Sequence, residues 1–187
     1  QNKKKSVDQL DNDVIIKYEP YSGKKSKESV KILSYNKHSV EYYGEPEDFY
    51  YAAQNSYYDN SLQELITDII DTESPIHIKQ LSLRTVEHYE MKKVGSKILT
   101  TMESMLYDLQ SSNKLDIKEE FVYKKEQKID FIRKRVDTDM DDNILFVSPD
   151  EIKNCIIYIL EKTFFSPHDE LMVSIAKLLG YKNTGSK

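Results

Sequence analysis

The stretch SPIHIKQLSLRTVEHYEMKKVGSKILTTMESMLYDLQSSNKLDIKEEFVY, residues 74–123, decides how the chain is read. Ser74-Pro75 predicts a turn and a helix over residues 76–89, because proline pre-sets the first helical turn and serine caps its free N–H groups. A polar break over residues 90–95 separates it from a helix over Ser96–Ser111. In that helix Ile98, Leu99, Met102, Met105, Leu106 and Leu109 share one face, opposite Lys97, Thr100, Thr101, Glu103, Ser104 and Asp108. Asn113-Lys114 ends it, and residues 115–117 and 121–123 predict two short strands around Lys118-Glu119-Glu120. Upstream, residues 61–72 carry Leu62, Leu65, Ile66, Ile69 and Ile70 at helical spacing, with Ser61 and Glu64 as a capping box. Three helices and a small hairpin predict an α+β fold, mainly helical, with a winged helix-turn-helix-like core. Such a layout presents its third helix to a nucleic-acid groove. It also serves as a protein-protein module or a spacer, so the residues must decide.

At 187 residues the chain has room for one large or two small domains and a core of ordinary size. No apolar run approaches membrane-spanning length and no signal peptide is recognisable, so an intracellular, cytoplasmic protein without a membrane partner is expected. The single Cys155 lies in an apolar helical run over residues 152–160 and is expected to be a small buried hydrophobe. The first residue, Gln1, suggests an excised fragment.

Net charge is −5, which argues against a polyanion partner until its distribution is considered. Residues 1–73 hold 9 basic and 14 acidic side chains, residues 74–136 hold 13 and 9, and residues 137–187 hold 5 and 9. Net positive charge is therefore confined to the central stretch, as expected if only that part meets phosphate.

Residues 1–59 read as a polar linker followed by a small tyrosine-rich β segment. Short β-branched and aromatic runs at 14–18, 30–35 and 39–43 predict an antiparallel sheet or hairpin. Nine of fourteen tyrosines fall there, but Glu41, Glu45, Glu47 and Asp48 lie among them and repel phosphate, which favours packing or a protein interface. Residues 60–127 form the winged-helix-like module. Residues 128–187 form a strand at 128–136 plus a two-helix unit, its helices opened by Ser148-Pro149 and Ser166-Pro167 and the second closed by Gly180. In the strand, Arg133, Lys134 and Arg135 alternate between faces.

Catalytic chemistry is not legible. A phosphate-cradling glycine loop, HExxH, a nucleophile elbow and Cys/His metal spacing are all missing from the sequence, so neither catalytic residues, metal ligands nor a cofactor are expected. Pro149-Asp150-Glu151-Ile152-Lys153 imitates a nuclease motif, but consecutive carboxylates at a helix start suit the helix dipole better than a metal. Asp137, Asp139, Asp141 and Asn143 echo a calcium loop without its glycine or closing glutamate. His77 and His88 read as capping or packed histidines rather than metal ligands.

Ser74-Pro75-Ile76-His77, Arg84, the Val94–Ile98 step, Phe121-Val122-Tyr123, Ile132–Arg135, Ser148–Ile152 and the 178–185 stretch occur in an order that resembles the C-terminal domain of unknown function 3320. That domain ends large bacterial superfamily I helicase proteins, often after a Vsr-like endonuclease domain, and some of these proteins are associated with anti-phage defence. The resemblance covers residues 61–187 and implies a noncatalytic accessory domain whose helicase and nuclease partners lie elsewhere. Where the family favours an Arg-Arg pair this chain has Leu83-Arg84, and an Arg before the glycine is replaced by Lys92 and Lys93, which keep charge without guanidinium geometry.

The expected function is DNA contact through phosphate. The expected contact residues are Lys92, Lys93 and Lys97, Lys118, Lys124 and Lys125 on or beside the hairpin, Arg133 and Arg135 from the next strand, and Thr100 and Thr101 near the groove. Base readout is not expected, because the helix offers no Arg, Asn or Gln in its first three turns. The alternative is a protein-protein or self-assembly module that uses the tyrosine-rich segment and an exposed sheet edge.

Overall fold

In the computed structural model, which describes residues 30–135, 143–163 and 166–181, the chain is α+β and mainly helical. The order is β1 (Lys31–Ser34), α1 (Pro46–Gln54), α2 (Ser61–Glu73), β2 (Ile76–His77), α3 (Ile78–Glu87) and α4 (Ser96–Ser111). It continues with β3 (Leu115–Lys118), β4 (Phe121–Lys124), β5 (Phe131–Lys134), a 3-10 turn (Ile144–Phe146), α5 (Pro149–Thr163) and α6 (His168–Leu179).

The periodic apolar positions of α2 and α4 form the larger core. Leu62, Leu65, Ile66, Ile69 and Ile70 of α2 meet Ile98, Met102, Met105, Leu106 and Leu109 of α4, with Leu81 and Val86 from α3 between them. Each fully buried aliphatic side chain contributes about 1.5–3 kcal/mol relative to exposure. One end of this core is closed by an antiparallel sheet in the order β2-β4-β3, with Ile76 opposite Val122 and Lys118 opposite Phe121. The β3–β4 turn is only Glu119-Glu120, and Glu119 has a φ of 55°.

Ile76 and His77 are strand, not helix, because they pair with β4 instead of beginning the expected 76–89 helix. The helix starts two residues later, at Ile78, capped by His77, whose Nδ1 accepts the Lys79 N–H at 3.1 Å. Ser74 therefore does not cap it. Ser74 ends α2, follows with a cis bond to Pro75, and turns its hydroxyl to Gln127 and to the Lys124 N–H at 3.0 Å.

From residue 30 to residue 60 the pairing differs from the expected hairpin. β1 pairs in parallel with β5, Lys31 opposite Phe131 and Ser34 opposite Lys134, although a hundred residues separate them. Residues 39–43 form no strand, and Tyr43 donates its N–H to the His88 carbonyl at 2.8 Å. The tyrosine-rich stretch contains α1 instead of a strand. Pro46 at its first turn, with Glu45 and Asp48 exchanging capping hydrogen bonds, starts that helix, and Phe49 and Ala52 enter the larger core. The expected strand at 14–18 and the acidic loop over 137–142 lie outside the described residues.

A second core gathers Ile132 of β5, Val147, Cys155 and Ile159 of α5, and Ile175 and Leu179 of α6, with Val30 packed against it. Burial pushes the Cys155 thiol up to about 12. Ser148 caps α5 by accepting the Glu151 N–H at 3.3 Å, and Gly180, with a φ of 92°, ends α6 in the left-handed conformation that glycine adopts without strain. Residues 46–54 belong with the central helices, and β1 belongs with the C-terminal unit.

Candidate nucleic-acid interface

The apolar stripe of α4 faces the core, so the opposite face holds Lys97, Thr100, Glu103, Ser104, Tyr107 and Asp108. Glu90, with a φ of 56°, turns the chain out of α3, and the loop that follows places Lys92 and Lys93 in solvent. Neither makes an ion pair among the described residues, although Lys92 shares a shallow depression with Glu87 and Glu90. Lys97 follows in the first turn of α4, with its ammonium 4.1 Å from the centre of the Tyr50 ring. Thr100 is exposed, while Thr101 is half-buried and donates its hydroxyl to the Lys97 carbonyl at 2.9 Å.

Helix α1 lies beside this face. Together α1 and α4 enclose a cleft of about 350 Å³ lined by Tyr50, Lys97, Thr100, Ser104 and Asp108. The half of α4 nearest α1 is therefore partly covered, an arrangement invisible while residues 1–59 are read as a linker and β segment.

On the hairpin the cations are more engaged. Lys118 sits over the Tyr123 ring at 4.7 Å, Lys124 pairs with Asp71 at 3.3 Å, and Lys125 pairs with Asp116 at 2.8 Å. The Lys125 hydrogen bond, with one from the Glu126 N–H, holds the Asp116 carboxyl below its ordinary range. The tip of the hairpin is Glu119-Glu120, both exposed, and it repels phosphate.

Arg133 and Arg135 are not surface residues, contrary to their expected role. They are 6% and 8% exposed, and both guanidinium groups converge on Glu151. Arg133 donates to Glu151 at 2.7 and 3.0 Å and to the carbonyls of Glu73, Ser74 and Pro75 at 2.6–3.2 Å. Both also lie over the Tyr35 ring, at 4.8 and 4.9 Å. Strand alternation turns both inward and leaves only Lys134 outside. Burial opposes ionisation of Glu151, but the Arg133 and Arg135 hydrogen bonds and charges outweigh it and hold the carboxyl below its ordinary range.

The same network engages the Glu151 carboxylate with Arg133, Arg135 and Ser148. His77 packs between Phe121 and Phe146, and His88 accepts the Glu41 N–H at 3.2 Å. Burial holds both imidazoles below their ordinary pKa. Among the described residues no three His, Cys, Asp or Glu side chains gather where a metal ion would fit.

Burial changes the charge balance that motivated this interface. With Arg84, Arg133 and Arg135 inside, residues 74–136 present ten basic side chains against nine acidic ones. The positive patch contracts to Lys92, Lys93 and Lys97. No family model, curated protein or solved structure matches the chain.

Proposed function

We propose that the chain is a noncatalytic winged-helix-like module that holds duplex or branched DNA weakly through phosphate, with no base readout. The observation that carries this reading is the order helix, strand, helix, helix, strand, strand over α2 to β4. Its sheet is ordered β2-β4-β3, and Lys92, Lys93 and Lys97 stand at the entrance to the third helix. That order is the one in which a winged helix offers its third helix to a groove. The sequence resemblance supplies the setting: an accessory domain beside helicase and nuclease domains of a bacterial, anti-phage type protein.

Phosphate contact without readout follows from the side chains. Over its first three turns the outward face of α4 presents hydroxyls and carboxylates in place of the Arg, Asn or Gln that read guanine and adenine. The short acidic hairpin tip adds no cation of its own, so contact rests on the loop over residues 91–95 and the first turn of α4. Salt titration of duplex binding, with Lys93 and Lys97 replaced, tests this reading. The alternative, a protein-interaction module, is favoured by the exposed tyrosines before α2.

A further inference from the structure

Residues 38–78 contain nine acidic side chains, six tyrosines and neither lysine nor arginine. The fold draws much of this stretch onto one region around buried Tyr89, which packs against Phe49 at 5.7 Å and Tyr43 at 6.3 Å. Burial, helped by Asp59, Tyr43 and Asp48 nearby, pushes the Tyr89 phenol up to about 12. Beside it Tyr42 donates to Glu45 at 3.1 Å, within reach of Glu90 and Asp48 as well. Next to Asp59, Tyr57 and Tyr58 form an edge-to-face pair with centres 5.0 Å apart. They are 88% and 87% exposed. A pair of aromatic rings held in water beside Asp59, in a stretch rich in carboxylates, complements cations, because ring faces and carboxylates both attract ammonium and guanidinium groups.

We propose that this face docks a lysine- and arginine-rich segment of a partner protein, with the partner's cations over the Tyr57 and Tyr58 rings and against Asp59, Asp48 and Glu45. The chain uses the same pairing internally, with Lys97 over Tyr50, Lys118 over Tyr123 and Arg133 over Tyr35. Like charge excludes DNA from this face.

The test uses the full chain and fluorescence anisotropy with a short fluorescein-labelled Arg-Gly repeat peptide, alongside a Glu-Gly repeat of equal length. The Arg-Gly peptide binds and the Glu-Gly peptide does not. Replacing both tyrosines (Tyr57→Ser with Tyr58→Ser) weakens binding on the order of ten-fold at unchanged net charge. Wild-type binding by the tyrosine variant would reduce the effect to diffuse charge and overturn the proposal, as would failure of the wild type to bind at about 0.1 M salt. Self-association of the chain alone, abolished by the tyrosine variant, would overturn it in favour of a second copy as the occupant.

Discussion

Arg133 and Glu151 meet at 2.7 Å inside the protein, one from β5 and the other from the first turn of α5. The same guanidinium reaches the carbonyls of Glu73, Ser74 and Pro75, where α2 ends and the chain enters β2. The pair thus ties the C-terminal unit to the base of the central helices. Removing one partner of such a buried pair leaves the other charge unpaired. Glu151→Ala is expected to cost about 3–5 kcal/mol in urea unfolding. A loss under about 1 kcal/mol would show that the network is not formed.

Phe49 tests whether α1 is part of the central core. It is fully buried against Tyr50 and Tyr89. Phe49→Ala is expected to cost about 3–5 kcal/mol by the same measurement, whereas a residue in a linker would cost almost nothing.

Stability should fall on mild acidification. His77 and His88 are held neutral by burial, so their folded pKa values lie below the unfolded value of about 6.5. Their contribution is full above that value and is lost as pH falls from it through the folded value. The urea midpoint should therefore be lower at about pH 5.5 than at about pH 7.5. His88→Asn, which keeps an acceptor for the Glu41 N–H, should flatten this slope. Glu151 adds a second loss at lower pH. Its depressed carboxyl contributes fully above about 4.3, and that contribution disappears as pH falls through its folded value.

Cys155 should be inert in the native protein. It is buried and its thiol is held up near 12, so thiolate is scarce at neutral pH. Ellman's reagent is expected to react with it only after unfolding, and rapid native reaction would contradict the packing of α5.

The parts legible in the sequence are those with local signals. The apolar periodicity of residues 61–72 and of Ser96–Ser111, the pair of short strands around Lys118-Glu119-Glu120, and Gly180 after α6 each depend on neighbours within a few positions. What was not legible depends on distant partners. β1 pairs with a strand a hundred residues away, and Ile76-His77 becomes strand only because β4 offers an edge. In α1, Pro46 and Asp48 carry a local helix-start signal, but the packing of Phe49 against Tyr89 depends on residues forty positions away. The largest displacement concerns Arg133 and Arg135. A basic run carries no sign of burial until Glu151 is seen beneath it, and the strand alternation that turned both inward was readable without its consequence. The opposite signal, 41 residues without lysine or arginine from 38 to 78, is a matter of composition alone.

DNA contact through the α4 entrance is tested most directly by titrating binding of a labelled duplex against salt. If Lys92, Lys93 and Lys97 each neutralise one phosphate, the slope of log affinity against log salt is about −2.5 to −3, independent of sequence. Lys93→Ala and Lys97→Ala should each reduce its magnitude by about one, while Lys125→Ala, already paired with Asp116, should leave it unchanged. No binding at about 50 mM salt, or binding untouched when Lys92, Lys93 and Lys97 are replaced together, would contradict the nucleic-acid reading and leave a protein-interaction module in its place.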